Sequence, residues 1–188
     1  KIHRETLKEY GTINFLFEFG AGKSLAQNLY LSESVKKQLL VDLYPMIELD
    51  IVECALKNIL EVVQLRSKVK IKDLKDLEDY GIYYKAPYDA SNTHLGDKSI
   101  DACISTNTLE HIPKSSIFLI FSELNRILKD EGIVSAIIDY SDHYAHTDKS
   151  ISLLNFLKFT PHQWRKYNHK IHFQLSLIHI SEPTRLGA

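Results

Sequence analysis

The chain has 188 residues, 44% of them hydrophobic and 25% charged, with a formal net charge of -1 at pH 7. Such a composition suits one globular domain with a substantial core, and the near-balance of charge gives no electrostatic basis for holding nucleic acid or an anionic membrane. No apolar run is long enough to span a bilayer, and the two cysteines, Cys54 and Cys103, form neither a disulfide framework nor a metal-type spacing, so both are expected as reduced, buried thiols in a cytoplasmic protein.

Residues 1–10 are polar and read as the end of a helix. Thr12–Phe19 (TINFLFEF) is a β-prone apolar run stopped by Gly20, the pattern of a buried strand. Leu25, Ala26 and Leu29 have helical spacing after Gly22. Gln38–Pro45 (QLLVDLYP) is a second apolar run that closes on Asp42 and Pro45. An amphipathic helix is predicted from Met46, with Ile47, Ile51, Ala55, Ile59 and Val62 on one face. A short charged helical piece (KIKDLKDLEDYG) leads to a Tyr-rich third strand (IYYKAPYDA). The fourth strand is Ile100–Thr106. A helix follows over SSIFLIFSELNRILKDEG, with Gly132 as its stop signal, and the fifth strand is IVSAIIDY. Strands that alternate with helices imply a mainly parallel sheet with helices on both faces. After Tyr140 the sequence turns rich in His, Asp and aromatic residues, with one helical stretch around Ile151–Phe159, and is expected to cover the sheet.

Chemistry concentrates in the loop Glu18-Phe19-Gly20-Ala21-Gly22-Lys23-Ser24. A phosphate-binding P-loop needs a glycine five positions before the Gly of Gly-Lys-Ser, and that position is Phe17. A dinucleotide loop needs a third glycine where Leu25 stands. Glu18 opposes both readings, because a carboxylate beside the turn repels a diphosphate and attracts a cation.

A ligand with an ammonium and a sulfonium removes the conflict. From about Thr12 to Tyr140 the chain resembles the class I S-adenosylmethionine-dependent methyltransferases, in the group of small-molecule and sugar-type enzymes. The resemblance implies an α/β, three-layer open sheet of Rossmann-like form and S-adenosyl-L-methionine as cofactor. It implies that Glu18 faces the methionine part of the cofactor while Gly20 and Gly22 let the backbone approach it. Asp42, twenty residues past Gly22, would take the ribose hydroxyls. Asp89 would accept from the adenine amino group, with the backbone of Ala90 reaching the ring. Within Ser105–Pro113 (STNTLEHIP), Asn107 would line the methionine side and Leu109 would cover the adenine, while Glu110 and His111 read as the first turn of the next helix.

The expected activity is methyl transfer to a small-molecule acceptor, carbohydrate-related by the same resemblance. The other reading is a non-catalytic cofactor-binding protein on the same fold. Asp139–Asp148 (DYSDHYAHTD) is expected over the cofactor mouth, with His143 as the candidate general base. Asp142, His143, His146 and Asp148 are metal-ligand types, but they have no helical frame, and no metal site is expected.

The end of the chain differs in kind. Leu175–Arg185 (LSLIHISEPTR) resembles the translated sequence of a transposase-type adapter used in preparing DNA libraries. The expectation is one domain over residues 1–174, incomplete at both ends, followed by an adapter-derived tail over 175–188. The alternative is a genuine terminal strand, since HFQLSLIHI alternates well enough.

Overall fold

Five strands form one sheet in the order β3-β2-β1-β4-β5 in the computed structural model, which describes residues 2–65 and 70–167. The strands are β1 (Ile13–Phe19), β2 (Val35–Val41), β3 (Ile82–Lys85), β4 (Ile100–Thr106) and β5 (Leu128–Ile137). β1 pairs in parallel with both β2 and β4, and β2 pairs in parallel with β3. The α-helices are α1 (Ile2–Tyr10), α2 (Ala26–Leu31), α3 (Leu49–Leu60), α4 (Lys114–Ile127), α5 (Tyr144–Thr147) and α6 (Pro161–Trp164). Short 3-10 turns occur at Leu74–Tyr80, Leu109–His111 and Asn155–Lys158. This is the expected open α/β sheet. The tail over 175–188 lies outside the described residues.

The chain divides into two compact units. Among the described residues, one contains 2–65, 70–106 and 119–136, the other 107–118 and 137–167. In the first, the later halves of β1 and β2 and nearly all of β4 are buried. That explains their near-continuous apolar sequences, because a parallel strand covered on both faces has no solvent side to mark with polar residues. Leu25 and Leu29 pack with Leu40 of β2, Val52 and Leu56 of α3, and Tyr80. A second cluster joins Leu7 of α1 to Leu16, Val35, Ala102 and Ile104.

The sheet order reverses direction between β1 and β4. Connections from β1 lead to β2 and β3 on one side, while β4 and β5 lie on the other. In an open α/β sheet such a switch point opens a crevice at the carboxyl ends of the two strands.

Four expectations differ from the structure. The buried face of α3 is Val52, Leu56 and Ile59, whereas Ile51 is 39% exposed and Val62 lies beyond the helix, 77% exposed. α4 ends at Ile127, not at Gly132. Its last carbonyls are taken from outside the helix: Lys98 N donates to Arg126 O (3.0 Å) and Ser99 N to Ile127 O (2.7 Å), and β5 starts at the next residue. Gly132 has a different role, since a Cβ there would stand 2.9 Å from the Lys129 carbonyl oxygen. Cys103 is buried as expected, but Cys54 is exposed on α3. In the second unit the helical stretch expected over Ile151–Phe159 is reduced to the 3-10 turn at Asn155–Lys158.

Candidate functional site

The glycine loop leaves β1 at the switch point. Gly20 and Gly22 both have positive φ, 74° and 71°, the region in which glycine carries no Cβ penalty. At Gly22 a Cβ would meet no atom within 4 Å, so backbone conformation and not packing demands the glycine. Gly20 N donates to Val41 O at 2.8 Å, tying the turn to the end of β2. Leu25, where a dinucleotide loop would have its third glycine, also takes a left-handed φ of 49°. It holds that conformation as a buried anchor of the apolar cluster.

Asp42 follows β2 and turns back to the loop. Gly22 N donates to its carboxylate, 3.2 Å from Oδ2 and 3.4 Å from Oδ1. The Tyr84 hydroxyl donates to Oδ2 at 2.9 Å and accepts from Met46 N at 3.0 Å. Burial pushes the Asp42 carboxyl above its ordinary value, against the opposing bonds from Tyr84, Gly22 and Ala21. The Asp42 carbonyl accepts from Tyr88 N at 2.9 Å, which brings the Tyr88-Asp89-Ala90 turn beside the same strand end. Asp89 is exposed, and its Oδ1 accepts from Ser91 N (2.8 Å) and Ser91 Oγ (2.7 Å). Ala90 is buried.

Glu18 lies deeper than the sequence suggests. It is 2% exposed. Its Oε2 accepts from Asn28 Nδ2, and its Oε1 from Gln27 Nε2 at 3.4 Å. Asn28 is itself held by Gln38 of β2, whose Nε2 donates to the Asn28 carbonyl at 2.9 Å. Gln27 also donates to Thr106 Oγ1 (3.4 Å), at the end of β4. The same hydroxyl meets His3 Nε2 (3.0 Å), and His3 Nδ1 meets Ser135 Oγ (2.7 Å). A polar chain thus crosses the carboxyl edge of the sheet. Burial pushes the Glu18 carboxyl up to about 8; Asn28 opposes the rise and the nearby Asp42 charge adds to it. Lys23 does not offset either acid, since its ammonium pairs with Glu48. Among the described residues no ion pair reaches Glu18 or Asp42. Asn28, Gln38 and Gln27 are the members of this site that the sequence reading missed. A polar residue mid-helix or mid-strand is the only local signal they give.

The second unit holds the other predicted residues. Asn107 follows β4 directly with φ 48°, a left-handed conformation that asparagine tolerates, and its N–H donates to Ile137 O at 2.8 Å. Leu109 is buried in the 3-10 turn that also carries Glu110 and His111. His143 precedes α5, with Nε2 3.5 Å from Asp139 Oδ2. Its ring centroid is 5.1 Å from those of His111 and His146. Asp142 is fully buried and accepts from Tyr144 N (2.9 Å) and Asn155 Nδ2 (3.1 Å), which pins the segment. Asp148 accepts from Ser150 N (2.9 Å) and Oγ (2.7 Å). His146 Nε2 meets Ser141 Oγ at 2.9 Å. The side chains gathered with His143 as potential ligands are therefore Glu110 and His111, not Asp142, His146 and Asp148. Burial raises the Glu110 carboxyl above its ordinary range.

The sequence matches the methyltransferase domain family over residues 18–136, more than half of the chain, and the chain belongs to that family. Comparison with curated proteins finds no match. Solved structures share the fold. The PH0226 protein of Pyrococcus horikoshii is 15% identical, with a TM-score of 0.50 over 78% of this chain and 56% of its own. The YcgJ protein of Bacillus subtilis is 19% identical, with a TM-score of 0.49 over 88% and 66%. A phosphoethanolamine N-methyltransferase of Haemonchus contortus, solved with phosphoethanolamine and S-adenosylhomocysteine, is 15% identical, with a TM-score of 0.47 over 73% and 25%. The chain spans between a quarter and two thirds of the lengths of these proteins. The expected class, a class I S-adenosylmethionine-dependent methyltransferase domain, agrees with both the family match and the sheet.

Proposed function

We propose that this chain binds S-adenosylmethionine at the carboxyl ends of β1, β2 and β3 and transfers its methyl group to a small-molecule acceptor. One observation carries the reading. Two buried carboxylates, Glu18 and Asp42, flank a positive-φ glycine turn, and no cation of the described chain pairs with either. Uncompensated buried negative charge is costly. It favours a cationic ligand there and disfavours a diphosphate.

The donor sets fit such a ligand. A carboxylate has about four acceptor sites. Gly22 N–H, the Ala21 backbone and the Tyr84 hydroxyl take three at Asp42, which leaves one acceptor for a ribose hydroxyl. Asp89 accepts from the adenine amino group, and the Ala90 N–H serves the ring. The turn at Gly20 and Gly22 allows close backbone approach. Glu18 acts from beneath the loop: bound by Asn28 and Gln27, its carboxyl keeps its proton up to about 8 in the free chain, and a bound cation favours its ionised form. When bound, the cofactor supplies an electrophilic methyl on a sulfonium. The chain's work is then to align the acceptor, exclude water and manage the acceptor's proton.

Calorimetry tests the assignment. Heat with S-adenosylmethionine and S-adenosylhomocysteine, and none with ATP or NAD, is expected; the reverse pattern refutes it. A non-catalytic binding protein would bind both cofactor forms yet release no S-adenosylhomocysteine with any acceptor offered.

A further inference from the structure

We propose that Glu110, His111 and His143 form a divalent-cation site in the second unit. Each offers one ligand atom, and these atoms lie within 4.8 Å of one another. Ligand atoms around a first-row metal at about 2.0–2.2 Å stand roughly 3–4 Å apart, so a small inward movement of the side chains closes the sphere. The carboxylate is the independent pointer. Glu110 is 1% exposed. Its Oε1 accepts from Asp139 N at 3.3 Å, whereas its Oε2 has no hydrogen-bond partner among the described residues. A buried carboxylate oxygen left open is costly, and a bound cation is one of the few groups that repay it.

The local sequence builds the triad. The 3-10 turn at Leu109–His111 buries Leu109 and puts two ligand residues in succession. His143 is brought to them by the segment after β5, which Asp142 anchors through Tyr144 and Asn155. The His111 and His143 rings are tilted by 46° at 5.1 Å, side by side and not stacked flat. Asp139 is the supporting carboxylate: its backbone holds Glu110, and its Oδ2 lies 3.5 Å from His143 Nε2. Such outer partners orient metal-ligating imidazoles.

Two imidazoles and one carboxylate suit Zn²⁺, Mn²⁺, Fe²⁺ or Co²⁺ better than Mg²⁺ or Ca²⁺, which favour all-oxygen sets. Three protein ligands leave positions open for water or a ligand oxygen. The site stands independently of the methyl-transfer reading, since all three ligands lie in the second unit.

Co²⁺ added alone to chelator-treated protein, with no cofactor present, reads the site directly through its visible d–d bands. One equivalent is expected to bind with these bands. Glu110→Gln, His111→Ala and His143→Ala are each expected to weaken binding by at least about tenfold, and the exposed His162→Ala to leave it unchanged. Circular dichroism confirms folding, and His111→Gln serves as a second, gentler variant. The site is refuted if the wild type binds no Co²⁺, or if folded Glu110→Gln and His111→Gln bind it as the wild type does.

Discussion

Replacing Glu18 with glutamine isolates the electrostatic strain beneath the glycine loop. The glutamate carboxyl titrates at about 8 in the folded chain, against an ordinary value of 4.5. A raised carboxyl makes the folded state hold a proton that the unfolded state has already released. Stability is thus fully present below about 4.5 and falls as pH rises toward 8. At about 1.4 kcal/mol per pH unit, the fall attributable to this group has a ceiling of roughly 5 kcal/mol, and relaxation in solution brings it lower. Glutamine keeps the volume and cannot ionise. The Gln27 amide can flip to meet the new donor, so little is lost at low pH. Urea unfolding of both proteins from about pH 5 to pH 8.5 is the assay. The variant is expected to match the wild type near pH 5 and to exceed it by a few kcal/mol near pH 8. Groups common to both proteins cancel in the difference. Parallel stability curves across this range would refute the placement of an uncompensated acid there. The same acid predicts that binding of a cationic cofactor releases a proton near neutrality, visible as a buffer-dependent heat in the wild type and absent in Glu18→Gln.

Two further outcomes follow from the geometry. Asp42→Ala should weaken cofactor binding by roughly 1.5–3 kcal/mol through lost charge-assisted bonds, and Asp42→Asn by less because one acceptor oxygen remains; equal affinities measured by calorimetry would remove Asp42 from the site. Leu56→Ala should cost about 2–5 kcal/mol in urea unfolding because it empties a buried position of α3, whereas Ile51→Ala, at an exposed position, should cost less than about 1 kcal/mol.

Local sequence determined the strands, because a parallel strand buried on both faces is written as an unbroken apolar run and its end as a glycine or an acid. β1, β2 and β4 were legible for that reason, and with them Gly20, Gly22 and Asp42. The phase of α3 was not. Ile51 and Val52 are adjacent and both apolar, so periodicity fixes a helix there but not which neighbour faces Leu25 and Leu29; packing against α2 and Tyr80 chose Val52 and Leu56. The end of α4 was also decided from outside, by the Lys98 and Ser99 amides that take its last carbonyls. Glu18 was legible as an acid but not as a buried one. Its surroundings depend on the β1–β2 register, which sets Glu18 opposite Leu40 and brings Asn28 and Gln38 together. Glu110, His111 and His143 show the same limit more strongly. Each is unremarkable within its own stretch, and more than thirty residues separate the pair from the third. Only the return of the chain after β5 brings their ligand atoms within reach of a single ion, because coordination depends on distance in space and not on spacing along the chain.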